Sequence, residues 1–469
     1  MVGPEVATKM STSESPTIVF LNLPPKTFIG VNLASFNSSP NFHGIANLPD
    51  GLHLIYTGTD ASLSIRQGVW LKIQQARADA PVIILKWSNE NEHLEKLDND
   101  DAEAQAATRR LPELRKRGLV DYAALKEASA KLQIEQSEAA ANTTADDIAG
   151  VNDTDSTDPW PSLTSHVTPR LLTRVLSSNP ATSRTTTTWS LTSISSSPSD
   201  AEHIPGLSSD EARSNLEPLQ TLNLLPIDLK QTWPEDAQGR DRTEKARDRS
   251  WYLSHLISQL TIPLAGTGSG TIPQPAAAKE LLGELQFCFL AVLCLANYSC
   301  LEQWKRLLSM LFTCRSALLE AGGYLIEAVR VLRQQLGQVE NVEGGLFELA
   351  DEQSSAWLRK LLRTFRGNID EVCSDAQDQG MVKDAGKGLK SAFEELEIWL
   401  REKYGWQDEN NMLRRGMVQL EDGEMVELQT NDFDEEEESG EYAPVVVDTG
   451  LAYEGDDLKP PKPRSDDDE

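Results

Sequence analysis

The sequence predicts an α+β chain of more than one module. A β-rich N-terminal module, sandwich-like or barrel-like, precedes an all-α module, with a Ser/Thr-rich flexible linker between them and an acidic, disordered tail behind. Three observations carry this. Short β-branched runs punctuated by Pro, Gly and Asn crowd residues 16–87. Apolar residues recur at helical spacing between Thr243 and Trp406. Between and beyond these stretches the composition shifts to Ser/Thr and then to Asp/Glu. Periodicity separates strand from helix, and loss of apolar residues marks segments that cannot bury a core. With 469 residues the chain is long enough for several cores.

The boundaries follow from texture: 16–136 for the β-rich module with appended helices, 137–209 for the linker, 210–406 for the helical module and 407–469 for the tail. "TIVFLNLP" is a β-branched run stopped by Pro-Pro, and "FIGVNLASF" follows it. Pro49-Asp50-Gly51 is a turn signal inside "GIANLPDGLHLIYTG", and "LSIRQGVWLKI" and "PVIILKW" complete the strand set. The charged, Ala-rich stretch ending near Leu132 reads as two helices. In the linker, "SSNPATSRTTTTWSLTSISSSPSD" is expected to be flexible, and "PWPSLTSHVTPRLLTRVL" is an apolar island that can dock on the first module. "TEKARDRSWYLSHLISQL" places Trp251, Leu253, Leu256, Ile257 and Leu260 on a helix, and at least five helices fit before Trp406.

The stretch from Gly283 to Phe312 holds the densest apolar run and three of five cysteines. Its uninterrupted part, Phe287 to Ala296, is half the about 20 residues needed to span a bilayer. Cys288, Cys294 and Cys300 are six residues apart, so successive thiols point to different helix faces. No His lies among them, and zinc sites want paired ligands at short spacing. The expectation is a helix at the centre of a bundle, with cysteines as small hydrophobes. No C-x-x-C pair occurs, so reduced thiols are expected. The opening "MVGPEVATKMSTSESP" has no apolar run, so no secretory leader is expected.

Net charge is −29, and residues 421–469 carry 19 acids against 3 bases, more than half of it. Such a balance works against nucleic-acid binding and favours basic protein partners. No P-loop, G-x-G-x-x-G, H-E-x-x-H or G-x-S-x-G in a credible context occurs. "GTGSG" reads as a flexible loop, "DFDEEEESGE" as a solvated run, and His43 and His53 as structural residues of the β module. No catalytic, cofactor or metal residues are assigned. One segment stands apart. "EYAPVVVDTG" strands three valines in acidic sequence, which makes Tyr442, Pro444, Val445, Val446, Val447 and Asp448, within 442–450, a candidate strand. It either adds to an exposed sheet edge of a partner or folds back on the chain's own β module.

Taken together, several of these residues resemble the Aar-two family. The pattern F-x-G-x-x-x-(I/L/V)-P-x-G-x-H-x-(I/V)-(Y/F) is met by Phe42, Gly44, Pro49, Gly51, His53, Ile55 and Tyr56. "RSWYL" with Trp251, "GELQFCF" and "NYSCLEQWKRLL" with Trp304 resemble the family's C-terminal domain. The resemblance implies an assembly factor, not an enzyme. It would accompany the U-five small nuclear ribonucleoprotein, bind the RNase H-like and JAB/MPN-like domains of Prp-eight, and exclude the helicase of the mature particle. It implies a VHS-like helical domain, a tail that adds a strand to the partner, action in cytoplasm and nucleus, and no cofactor or obligate homo-oligomer. Two other readings stand beside it: a cytosolic adaptor with a VHS-like domain, and an enzyme whose interdomain site gathers His43, His53 or a cysteine with carboxylates.

Overall fold

The computed structural model describes residues 16–59, 64–74, 82–90, 92–129, 131, 158–176, 188–198, 200, 221–262, 273–339, 353–378, 384–406, 416–419 and 425–428. Ten strands form two five-stranded sheets. The first has the order β8 (His93–Lys96), β7 (Val82–Ser88), β1 (Thr17–Leu21), β4 (Gly44–Ala46), β9 (Leu119–Asp121). The second has β10 (Thr188–Thr192), β6 (Gln67–Ile73), β5 (Gly51–Gly58), β2 (Phe28–Val31), β3 (Ala34–Asn37). Their inner faces share one core. Ile18, Phe20, Ile45 and Leu85 from the first sheet pack with Ile29, Val31, Ile55, Val69, Leu71 and Ile73 from the second. The β-rich module is therefore a sandwich.

Both sheets are also covered outside, which explains why "TIVFL" and "VIILKW" run apolar on both faces rather than alternating. β1 pairs parallel with β7, Ile18 opposite Ile83. Ile18 and Phe20 point inward, whereas Val19 and Ile84 meet Ala104, Ala107 and Leu111 of α1 (Ala102–Arg117). Asp101 caps α1 by accepting from the Glu103 amide at 2.7 Å. A short helix, α2 (122–129), follows β9 and contributes Tyr122 and Leu125 to the sandwich core.

The helical region follows: α3 (Trp160–Leu163), α4 (Pro169–Leu176), α5 (Gly239–Arg247), α6 (Ser250–Leu260), α7 (Gln274–Leu295), α8 (Tyr298–Leu311), α9 (Ala317–Glu320), α10 (Gly322–Leu336), α11 (Gln353–Asp378) and α12 (Asp384–Tyr404). Helix α7 is its axis. Every residue from Glu280 to Leu295 is buried, because the second sheet lies on one side and other helices on the rest. Ala296 ends it in the left-handed conformation (φ 55°), and Asn297 caps α8 by accepting from the Cys300 amide at 2.8 Å.

Two expectations are corrected. The flexible linker of 137–209 is structured wherever it is described. The apolar island forms α3 and α4, and β10 lies inside the run read as unable to bury a core. Composition misled here: Thr is at home in strands, and the alternation in "TWSLT" buries Trp189 and Leu191 while leaving their neighbours half-buried. The β-rich and helical modules lie in one compact unit, 1–228 with 232–407. A second unit holds 229–231 and 408–469. Within it β11 (Gly416–Gln419) and β12 (Met425–Leu428) pair antiparallel, Met417 opposite Glu427, where the tail was expected to lack structure. The sequence between them contains Asp422-Gly423, a hairpin signal outweighed by the acidic composition. The candidate tail strand at 442–450 lies outside the described residues.

Candidate functional site: the clasp on the central helices

Helices α7 and α8 grip the connecting segment with polar side chains, and the second sheet with apolar ones. Gly283 lets the α7 backbone touch the turn before α4; a Cβ there would stand 2.3 Å from the His166 carbonyl oxygen. One turn on, Gln286 accepts from the His166 amide at 2.8 Å and donates to the Ser162 carbonyl at 2.9 Å and the Ser165 hydroxyl at 3.0 Å. Phe287 meets Trp70 of β6 at 6.3 Å, and Trp70 stacks on Trp160 at 5.8 Å. The Trp160 indole donates to the Leu52 carbonyl of β5 at 2.8 Å, so α3 is pinned to the sheet as well.

A buried ion cluster sits beside this contact. Arg174 of α4 donates to Glu284 at 2.6 Å and Glu280 at 2.9 Å, and Arg170 donates to Glu280 at 2.8 Å. Glu284 also accepts from the Leu225 amide at 3.0 Å and from Gln303 at 2.8 Å. Burial by itself would depress the Arg174 guanidinium, but Glu284 and Glu280 outweigh it and hold it above its ordinary value. Glu284 is fully buried, and the hydrogen bonds it accepts offset the cost of removing its oxygens from water.

The start of α8 holds β10. The Asn297 amide donates to three carbonyls at and just after the end of the strand: Thr192 at 3.0 Å, Ser193 at 3.2 Å and Ser195 at 2.7 Å. Ser299 accepts from the Ser197 amide at 3.0 Å, and Gln303 donates to the Leu225 carbonyl at 2.9 Å. Arg66, just before β6, donates to the Cys294 carbonyl at 3.0 Å. Gly68 keeps this junction close: a Cβ would meet side chains of Leu295, Leu54 and Leu191 at 2.9 to 3.2 Å.

The residues singled out from sequence fall into two places. Phe42 packs on Phe20 and Phe36 at 5.4 and 5.0 Å. Gly44 lies where a Cβ would be 2.2 Å from the Ile18 carbonyl oxygen, and Gly51 adopts φ 139°. His53 Nε2 donates to the Pro49 carbonyl at 2.8 Å while Nδ1 accepts from Asn32 at 3.0 Å, which selects the neutral tautomer. Burial lowers its pKa against the opposing Pro49 carbonyl. Ile55 is in the sandwich core, and the Tyr56 ring crosses Gly30, its phenol pushed well up by burial. Trp251 stacks on His255 at 5.1 Å, and Trp304 donates to Gln335 at 2.9 Å, both in the helical region. The tail residues Tyr442 to Asp448 are outside the described residues.

The enzyme reading asked for His43, His53 or a cysteine to converge with carboxylates in a cleft. His43 lies against Gly118, and His53 is locked between Asn32 and Pro49. Cys294 approaches the Asn32 carbonyl at 3.6 Å, but burial pushes its thiol up to about 12. Burial and the neighbouring Cys300 raise Cys288, and burial raises Cys314. A nucleophilic cysteine needs the opposite shift. Among the described residues no group of three His, Cys, Asp or Glu is arranged to hold a metal ion, and no helix is long and apolar enough to cross a membrane.

Composition reasoning missed Asn297, Gln303, Gln286 and Arg174. The usable signal was local: Glu280, Glu284 and Gln286 interrupt the apolar stretch of α7, and Asn297 and Gln303 stand beside and within the apolar run that follows, and such residues need buried partners.

Comparison with known proteins bears on both halves. Residues 14–177 match the family described as AAR2 N-terminal domain, and residues 224–409 match the AAR2 C-terminal repeat region. The clasp therefore joins the two matched regions, and β10 lies between them. The Protein AAR2 homolog of Homo sapiens is 25% identical over 424 residues, covering 86% of this chain and 93% of the relative. The Mus musculus homolog is 24% identical and the Pongo abelii homolog 23%, with the same coverage.

Proposed function

The chain belongs to the AAR2 family, and from that premise we propose that it is a non-catalytic assembly factor of the splicing machinery. In this reading it holds Prp-eight of the U-five particle through the RNase H-like and JAB/MPN-like domains and keeps the helicase away until maturation. It acts in the cytoplasm and the nucleus. The observation that carries the reading is how the polar residues of "GELQFCF" and "NYSCLEQWKRLL" are used. Glu284 and Gln286 are spent on Arg174 and Ser162 of the N-terminal matched region, Asn297 on the end of β10 and Gln303 on Leu225, all internal contacts. Residues so engaged preorganise a surface rather than perform chemistry. The segment Tyr442–Gly450 supplies a strand to the partner's sheet edge.

The test is reconstitution. The purified chain, mixed with the two recombinant Prp-eight domains, should co-elute as a complex and delay helicase binding. Deleting 442–450 should weaken the complex about tenfold or more without changing the melting temperature. Failure to bind either domain would remove the proposal, and an equal loss of thermal stability would assign the segment to the chain's own sheet.

A further inference from the structure

The helical half contains a basic surface that the acidic composition hides. Residues 353–368 of α11 carry Arg359, Lys360, Arg363 and Arg366 and no acid, in a chain of net charge −29. Arg366 is engaged by Asp370, Glu394 and Glu397. Arg359 is exposed, and its guanidinium lies 4.9 Å from the ring centre of Trp406. Trp406 meets Tyr404 at 5.8 Å, and Tyr404 meets Trp399 at 5.9 Å. Over Trp399 sit two more exposed cations, Arg333 of α10 at 5.8 Å and Lys403 at 5.5 Å. Three helices thus contribute to one continuous run of half-buried rings and exposed cations.

The run is held in place. The Tyr404 hydroxyl donates to the Leu336 carbonyl and the Lys403 ammonium to the Gly337 carbonyl, fixing the end of α12 on the end of α10. A guanidinium resting on a ring is positioned in advance and still presents an N–H edge to solvent. That edge matches a carboxylate, which accepts two parallel N–H bonds. The half-buried rings between the cations offer apolar contact to a neighbouring side chain.

We propose that this cluster, formed by Arg333, Arg359, Trp399, Lys403, Tyr404 and Trp406, is a docking site for a short acidic peptide segment of a partner protein. Charge complementarity selects the occupant. Single-stranded nucleic acid fits less well. Its bases need open ring faces, and here Trp399 and Trp406 already carry cations. A phosphate chain longer than the patch would also run on over an acid-rich protein, with Glu402 beside Lys403 on α12 itself. A short segment of Asp and Glu with one aromatic residue satisfies the cations and ends before repulsion accumulates. The site is independent of the clasp and of the tail strand.

The full chain can be titrated onto a fluorescein-labelled Asp/Glu peptide of about a dozen residues with one central Phe, followed by anisotropy. Binding that weakens with salt is expected, and the double variant Arg333→Glu with Arg359→Glu should weaken it about tenfold or more. Its melting temperature should match the parent, because both side chains are exposed. Arg240→Glu, exposed elsewhere, should leave binding unchanged. The proposal falls if the parent does not bind, if the double variant binds equally, or if an oligouridylate of matched charge binds more tightly. It also falls if neutralising Asp434 and Glu435–Glu438 in the full chain tightens binding about tenfold, since the chain's own tail would then be the occupant.

Discussion

The interior of the sandwich and the seam between its second sheet and the central helices are both buried, but they are held together differently. The interior is largely apolar and carries an uncharged polar knot, in which Asn32 donates to His53 and Tyr122 and accepts from the Leu54 amide. The seam carries charge: Glu280 and Glu284 are buried, and the half-buried Arg174 pairs with both beside amides and carbonyls of the connecting segment. An apolar core rewards any partner of suitable shape. A buried ion tolerates only the arrangement that satisfies it. The difference teaches that the sandwich is specified by pattern, whereas the union of the two halves is specified by pairing.

The comparison can be broken most forcefully at Glu284. Glu284→Ala strands Arg174 in the seam and should cost about 3–5 kcal/mol of unfolding free energy in urea titration. Replacing the pair together, Glu284→Leu with Arg174→Met, should return most of that loss, because matched apolar groups replace buried ions at little net cost. If the double variant is as damaged as the single one, the seam is not organised by its ions.

In the interior, Leu71→Ala should cost about 2–5 kcal/mol by leaving a cavity. The same urea titration should show a loss insensitive to salt, unlike that at Glu284. Asn297→Ala should cost less, about 1–3 kcal/mol, since it removes donors to three carbonyls of one turn. Hydrogen exchange should then speed selectively in 188–192. Equal protection there would mean that pairing with β6 alone holds the strand.

The smallest effect is pH dependence. Burial is the first cause that lowers both His53 in the interior and His166 at the seam. The unfolded imidazole takes up a proton near about pH 6.5, where the folded one still resists it. Stability is therefore complete above that pH and declines as pH falls below it. The slope of melting temperature against pH should flatten in His166→Gln, where the ring meets Glu327 at 3.3 Å at the edge of the seam. A slope unchanged by that substitution would place the acid sensitivity in the sandwich interior.

Much of this architecture was legible locally. The apolar runs of β5 and β6, the turn at Pro49-Asp50-Gly51 and the apolar second half of α7 each follow from the character of near neighbours. β10 was not legible, because Ser/Thr-rich sequence is compatible with both strand and coil, and only the free edge of β6 decides between them. The clasp was legible only as a list of polar residues in apolar helices. The ring-and-cation surface was hidden by averaging: its cations belong to three helices, and the charge of the tail overwhelms them in any sum.

What the sequence determined by itself is, β10 and the two tail strands apart, which segments become strand or helix and which faces must leave water, since backbone periodicity and hydrophobicity act between near neighbours. What the tertiary structure alone decided is which distant polar groups meet. Arg174 and Glu284 are 110 residues apart and Asn297 and Thr192 are 105, and nothing in either local stretch names its partner. A hydrogen bond is short and directional, so its partner is chosen only once the apolar faces have brought the two backbones together.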